Sequence, residues 1–115
     1  MQYLLMIYTE EQAEAAIPAD KMQSIMAGYG AFTQSVVNSG ALVNSNRLRP
    51  VADATSVRVR DGKTLVTDGP FAETREALGG YYLIEARDLD EATAIAARIP
   101  SAVYGTIEVR PVWTM

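Results

Sequence analysis

The 115-residue chain predicts an α+β fold, an antiparallel sheet with two helices on one of its faces. Three observations lead there. Residues Asp20–Ser39, and a segment opening at Asp88, carry apolar residues at helical spacing. Extended, alternating stretches stand before, between and after them. A tight Asp61–Gly62 turn joins two of those stretches into a hairpin.

Composition narrows the function classes. Residues 1–115 are expected to form one domain, long enough for its own core. With 49% hydrophobic and 21% charged residues, the chain reads as globular rather than disordered. A formal net charge of −4 argues against general nucleic-acid binding. Cysteine is absent, which excludes a disulfide frame, a thiol nucleophile and a thiolate metal site. Histidine is absent too, which excludes a Ser–His–Asp triad and a histidine-ligated zinc. The first apolar run is short and has no basic lead, so no signal peptide is expected. No segment is long enough to span a bilayer, so the expectation is a cytoplasmic protein with no membrane partner.

The elements follow in order. Gln2–Tyr8 reads as a strand, with Tyr3, Leu5 and Ile7 on one face and Leu4, Met6 and Tyr8 on the other. Thr9–Ala19 is polar and alanine-rich, a loop or a loose turn of helix, and Pro18 leads into the helix after it. In Asp20–Ser39, Met22, Ile25, Met26, Tyr29, Phe32, Thr33 and Val36 make one stripe, read as core. Ala41–Leu48 is a weaker strand. Ala54–Arg60 and Lys63–Thr67 form the hairpin, with Val57 and Val59 facing in and Arg58 and Arg60 facing water. After Gly79–Ala86 comes the second helix. Asp88 is its expected N-cap, and Glu91 stands at capping-box spacing. Thr106–Val112 is the last strand.

The corner Asp68-Gly69-Pro70-Phe71 separates the hairpin from the most apolar strand. Asp68 suits an Asx-turn, and Gly69 admits backbone angles closed to other residues. Pro70 ends the preceding strand, and Phe71 is expected to anchor the corner in the core. Gly79 and Gly80 predict a bulge, or close approach by another backbone or a ligand.

The order β-α-β-(ββ)-β-α-β fits a ferredoxin-like sandwich. Gln2–Tyr8 and Gly79–Ala86 are apolar on the face away from the helices as well. A lone subunit would expose that face, so a symmetric homodimer with two sheets face to face is expected.

The stretch VTDGPFAETREALGGYYLIEARDLDEA, followed by ARIPSAVYGTIEVRPV, resembles the DGPF-domain branch of the YCII-related proteins. The likeness reaches back through LRPVADATSVRVRDGK and AFTQSVVNSGALV to the opening strand, and so covers nearly the whole chain. It implies a ferredoxin-like fold and a dimeric α+β barrel. It implies no established activity. A wider set of YCII-like proteins pairs a histidine with an aspartate in a cleft, and this sequence has no histidine to carry over. DGPF proteins are often associated with alternative RNA-polymerase sigma factors, which implies a regulatory setting.

Among the candidate residues, Asp68 has two readings. Buried near Tyr81 or Tyr82, it would have a raised pKa and move a proton; otherwise it only caps its turn. Arg47 and Arg49 suit a carboxylate or phosphate, or belong to a surface or dimer rim. Tyr81 and Tyr82 face opposite ways, and Tyr81 is the one expected to line an inter-sheet cavity. Tyr8, at the end of the first strand, is a further ligand-binding candidate. Glu73, Arg75 and Glu76 read as a solvated loop or a lid, and Trp113 as packing over a core edge or dimer seam. No phosphate loop or metal-ligand pattern occurs, and no cofactor is expected. Two functions stay open. One is a small-molecule binding protein or weak acid–base enzyme with a pocket between helix-free sheet faces. The other is a regulatory module acting with a transcription-related partner.

Overall fold

Strand β1 (Gln2–Thr9) lies inside the sheet because it is apolar on both faces. The computed structural model describes residues 1–114. After β1 come α1 (Glu11–Ala15), α2 (Ala19–Asn38) and β2 (Leu42–Arg47). Then follow β3 (Thr55–Arg60), β4 (Lys63–Asp68), β5 (Ala77–Glu85), α3 (Leu89–Ala96) and β6 (Thr106–Pro111). Single 3-10 turns occupy Val51–Asp53 and Pro100–Val103.

The main sheet has the order β2-β5-β1-β6, and every neighbouring pair is antiparallel. β1 and β2 therefore run parallel with β5 between them, and β5 and β6 run parallel with β1 between them. α2 lies in the first crossover and α3 in the second. This is the ferredoxin-like order, with β3 and β4 inserted between β2 and β5.

Both long helices cover one face. Tyr3, Leu5, Ile7, Tyr82 and Ile84 from the sheet meet Phe32 and Val36 of α2 and Ala92 and Ala96 of α3. Leu5, Val36, Ile84 and Ile99 are fully buried. The Phe32 and Tyr82 rings meet edge to face, with centroids 5.1 Å apart. The Tyr82 hydroxyl, buried with its ring, bonds Thr33 Oγ1 at 2.7 Å. Truncating Leu5 to alanine would cost about 2–5 kcal/mol, the usual range for a filled core site.

Local details match the chemistry of the termini. Pro18 stands at the N-cap of α2. Asp88 Oδ1 accepts from the Glu91 N–H at 2.9 Å, as an N-cap should. Glu91 returns the bond one residue earlier than the standard box, accepting from Arg87 N–H at 3.0 Å. The glycine pair does make a bulge: the β1–β5 register shifts between Ile7 and Tyr8, opposite Gly79 and Gly80.

Two sequence expectations are corrected and one is resolved. Thr9–Ala19, read as a loop or a loose turn of helix, takes the second form as the five-residue α1, a third helix. The β3–β4 hairpin has two wet faces rather than one. It forms its own two-stranded sheet, an arm in which every residue of β4 is exposed. Phe71 is 79% exposed rather than an anchor in the core. The reason is the geometry of the corner. Gly69 has φ +95°, donates to Ala54 O at 2.7 Å and accepts from Ser56 Oγ at 2.8 Å. Those bonds tie the corner back onto the start of β3, so the chain closes the arm instead of turning into the core.

Candidate functional site

The cross-strand register builds the site. On the helix-covered face, Arg47, Gly80, Ile7 and Ile107 stand in one row across β2, β5, β1 and β6. Ser45, Tyr82, Leu5 and Val109 make the next row. Gly80 contributes no side chain to its row, and a Cβ there would sit 2.9 Å from Asn46 O. No other residue fits without pushing β2 away from β5. Gly80 thus lets β2 lie close to β5, and no side chain stands between Arg47 and Ile7 in this row.

α2 roofs this gap. Met22, Ile25, Met26 and Tyr29 follow one another by three and four residues, so they share one helix face. Between roof and floor lies a cleft of about 390 Å³, bordered by these residues and by Ser45, Arg47, Gly79 and Gly80. Thr9, Glu14, Ser101 and Tyr104 close it on the β1 side. Gly105 allows that closure. A Cβ on it would stand 2.9 Å from Thr9 Cγ2 and 3.2 Å from Ser101 O, so only glycine lets the Pro100–Val103 turn lie against the end of β1.

The closed end is a cluster of hydroxyls. Tyr29 Oη and Ser101 Oγ are hydrogen-bonded. Tyr104 donates to Glu14 Oε2 at 2.9 Å. Burial raises the Tyr29 pKa above its ordinary value, with the charges of Tyr82 and Glu14 adding and the Ser101 bond opposing. Burial is also the first cause of the rise at Tyr104, to about 12, and its bond to the Glu14 carboxylate is the second. Both phenols are therefore neutral hydrogen-bonding groups near neutral pH. At the other end Arg47 is exposed and forms no ion pair among the described residues. The lining is thus apolar in the middle, cationic at the β2 edge and hydroxyl-rich beside β1.

The residues singled out from sequence are distributed over three places. Arg47 borders the cleft. Tyr81 borders it as well, but its hydroxyl turns to the helix-free face and accepts from Asn46 Nδ2 at 2.8 Å and Asn44 Nδ2 at 3.4 Å. Tyr8 lies on the helix-free face, half-buried, with its hydroxyl 3.9 Å from Met6 Sδ. Asp68 ends β4 on the arm, exposed and away from the cleft lining. It is not buried beside Tyr81 or Tyr82, and the turn is held by Gly69 backbone bonds rather than by its carboxylate. Trp113 is 84% exposed and covers no core edge. The expected pocket lies between the helix-free faces of two subunits; the cleft under α2 is a separate one, on the helix side of the single chain. Tyr29, Ser101, Tyr104 and Glu14 were missed. Tyr29 falls in the core stripe of α2, and Ser101 and Tyr104 reach the end of β1 through the Gly105 approach.

A family model for the YCII-related domain matches residues 1–115. An uncharacterised protein of Rhizobium meliloti (strain 1021) is 37% identical over 113 residues, covering 96% of this chain and 91% of that protein. No helix among the described residues is long and apolar enough to cross a membrane. With its ferredoxin-like sheet and a match from end to end, the chain belongs to the YCII-related domain family.

Proposed function

We propose that this protein is a homodimeric small-molecule-binding protein of the DGPF branch, with its ligand in the cleft between α2 and the sheet. One observation carries the reading: the apolar stripe of α2 and the side-chain-free strand position Gly80 border one cleft. A cleft of about 390 Å³ in this position, partly open to solvent, supports a ligand site there. Its lining, apolar with a few convergent polar groups, is of the kind that holds small organic molecules. An acid–base enzyme using Asp68 would need an assembly in which the arm reaches a cleft.

The dimer part of the reading rests on the exposed arm and on the helix-free face, where Leu4, Tyr81 and Leu83 are half-buried and Met6 is buried in the single chain. Leu4, Met6, Tyr81 and Leu83 meet across β1 and β5 on the helix-free face. Val57, Val59 and Val66 share one face of an arm that packs chiefly on itself. An isolated hairpin is marginal in water, and a second copy would cover both surfaces.

A thermal-shift screen of small polar and aromatic acids tests the cleft. At least one compound should raise Tm in the wild type and lose that effect in Met26→Trp, which fills the mouth. Compounds that never shift Tm, or shift it equally in the variant, overturn the reading. Light scattering across micromolar concentrations should give twice the chain mass. A monomer would favour the regulatory alternative, with a transcription-related protein covering the arm.

A further inference from the structure

We infer that the ligand is an amphipathic acid that lies across the sheet, with its carboxylate at Arg47, an apolar or aromatic body over Gly80 and a hydroxyl at the Tyr29–Ser101 end. This rests on the cleft being a ligand site and specifies what enters it.

The charges set the polarity. Arg47 and Glu14 are the charged residues that border the cleft. Glu14 already accepts the Tyr104 hydrogen bond and repels a second anion from that end. Arg47 has no carboxylate within ion-pair distance among the described residues, so its guanidinium fork is available to a ligand oxygen pair. In a chain with net charge −4, a free arginine at a cavity mouth is also the natural point of entry for an anion.

The span sets the length. Arg47 stands on β2 and Ile7 on β1, with Gly80 of β5 between them. Two strand spacings, on the order of 10 Å, separate the cation's strand from the strand beside the hydroxyl cluster. A flat apolar group fits between, since Gly80 lowers the floor and Met22, Ile25 and Met26 supply an adaptable roof. The Tyr29 and Ser101 hydroxyls then exchange hydrogen bonds with a polar group on the far end of the ligand.

Calorimetry with the intact protein tests the inference. The probes are para-hydroxyphenylpropionate, its primary amide and phenylpropionate. The hydroxy acid should bind best. The amide should bind about ten-fold more weakly or worse, because it loses a charge-assisted pair. Phenylpropionate should fall between them. Arg47→Gln should erase the difference between acid and amide, and Arg47→Lys should restore part of it. Arg47 is exposed, so a melting curve matching wild type is expected for both variants. Equal binding of acid and amide, or an acid affinity unchanged in Arg47→Gln, overturns the acid class while leaving the cleft reading intact. So does a wild type that ignores all three probes yet is stabilised by neutral aromatic compounds added to the thermal screen. Silence towards every compound overturns the cleft reading itself, and the acid class with it.

Discussion

Tyr104 donates its hydroxyl hydrogen to Glu14 Oε2, and burial together with that bond raises its pKa to about 12. The ordinary phenol value is 10.0, so folding favours the neutral form. Its stabilising contribution is complete below about pH 10 and is lost as pH climbs towards 12. Glu14→Gln removes the negative charge that opposes phenolate formation. Near-ultraviolet absorbance titration should then show Tyr104 ionising closer to 10, with Tyr104→Phe identifying its contribution. An unmoved titration would mean that burial alone sets the shift. Asp68 gives the opposite case, a charged group on the arm that touches no part of the cleft lining. Asp68→Asn should change stability by no more than about 0.5 kcal/mol and leave ligand affinity as in wild type. A large loss of affinity would return Asp68 to the site through an assembled arm.

The elements differ in how far their sequences determine them. α3 is held by local chemistry, for Asp88 caps it directly and Ala92 and Ala96 bury its stripe. Asp88→Ala should cost about 1 kcal/mol, read as a lower urea midpoint with unchanged slope. Such features can be read from spacing, and so could the strand order that follows from two crossover helices. The arm is different. Alternation predicted that Val57 and Val59 would face a core, and the same valines are 61% and 58% exposed. Period-two patterning fixes which residues share a face but not what that face meets. Phe71 failed for the same reason, since burial there depends on where the Gly69 corner aims the chain. The site was legible in fragments. The glycine pair pointed to close approach, and Arg47 was already a carboxylate candidate. The cleft itself needs the Arg47–Gly80–Ile7 row, and that row exists only once three strands are in register.

The whole molecule is broad and thin, 47 × 44 × 18 Å, and its radius of gyration of 16.1 Å exceeds the roughly 13 Å of a typical domain this long. Two stacked layers set the thin dimension, and the arm extends the molecule within the broad ones. The sheet thus has two unlike faces. α2, α3 and the cleft occupy one, while Met6, buried, and Leu4, Tyr81 and Leu83, half-buried, lie on the other. This separation makes assembly and binding independently testable. Leu83 stands opposite Leu4 near the centre of the helix-free face and is half-buried. In the proposed homodimer an arginine there would be desolvated at the interface between the two sheets, which a buried unpaired charge strongly disfavours. Leu83→Arg should therefore be monomeric by light scattering. Its side chain is on the opposite side of the sheet from Gly80 and Ile25, so the monomer should keep the affinity of wild type for a cleft ligand. A variant that stays dimeric would place the interface elsewhere, the arm being the next surface to alter through Val57→Lys. A folded monomer that no longer binds would show that the ligand needs both subunits, and would move the pocket from the helix side to the space between two sheets.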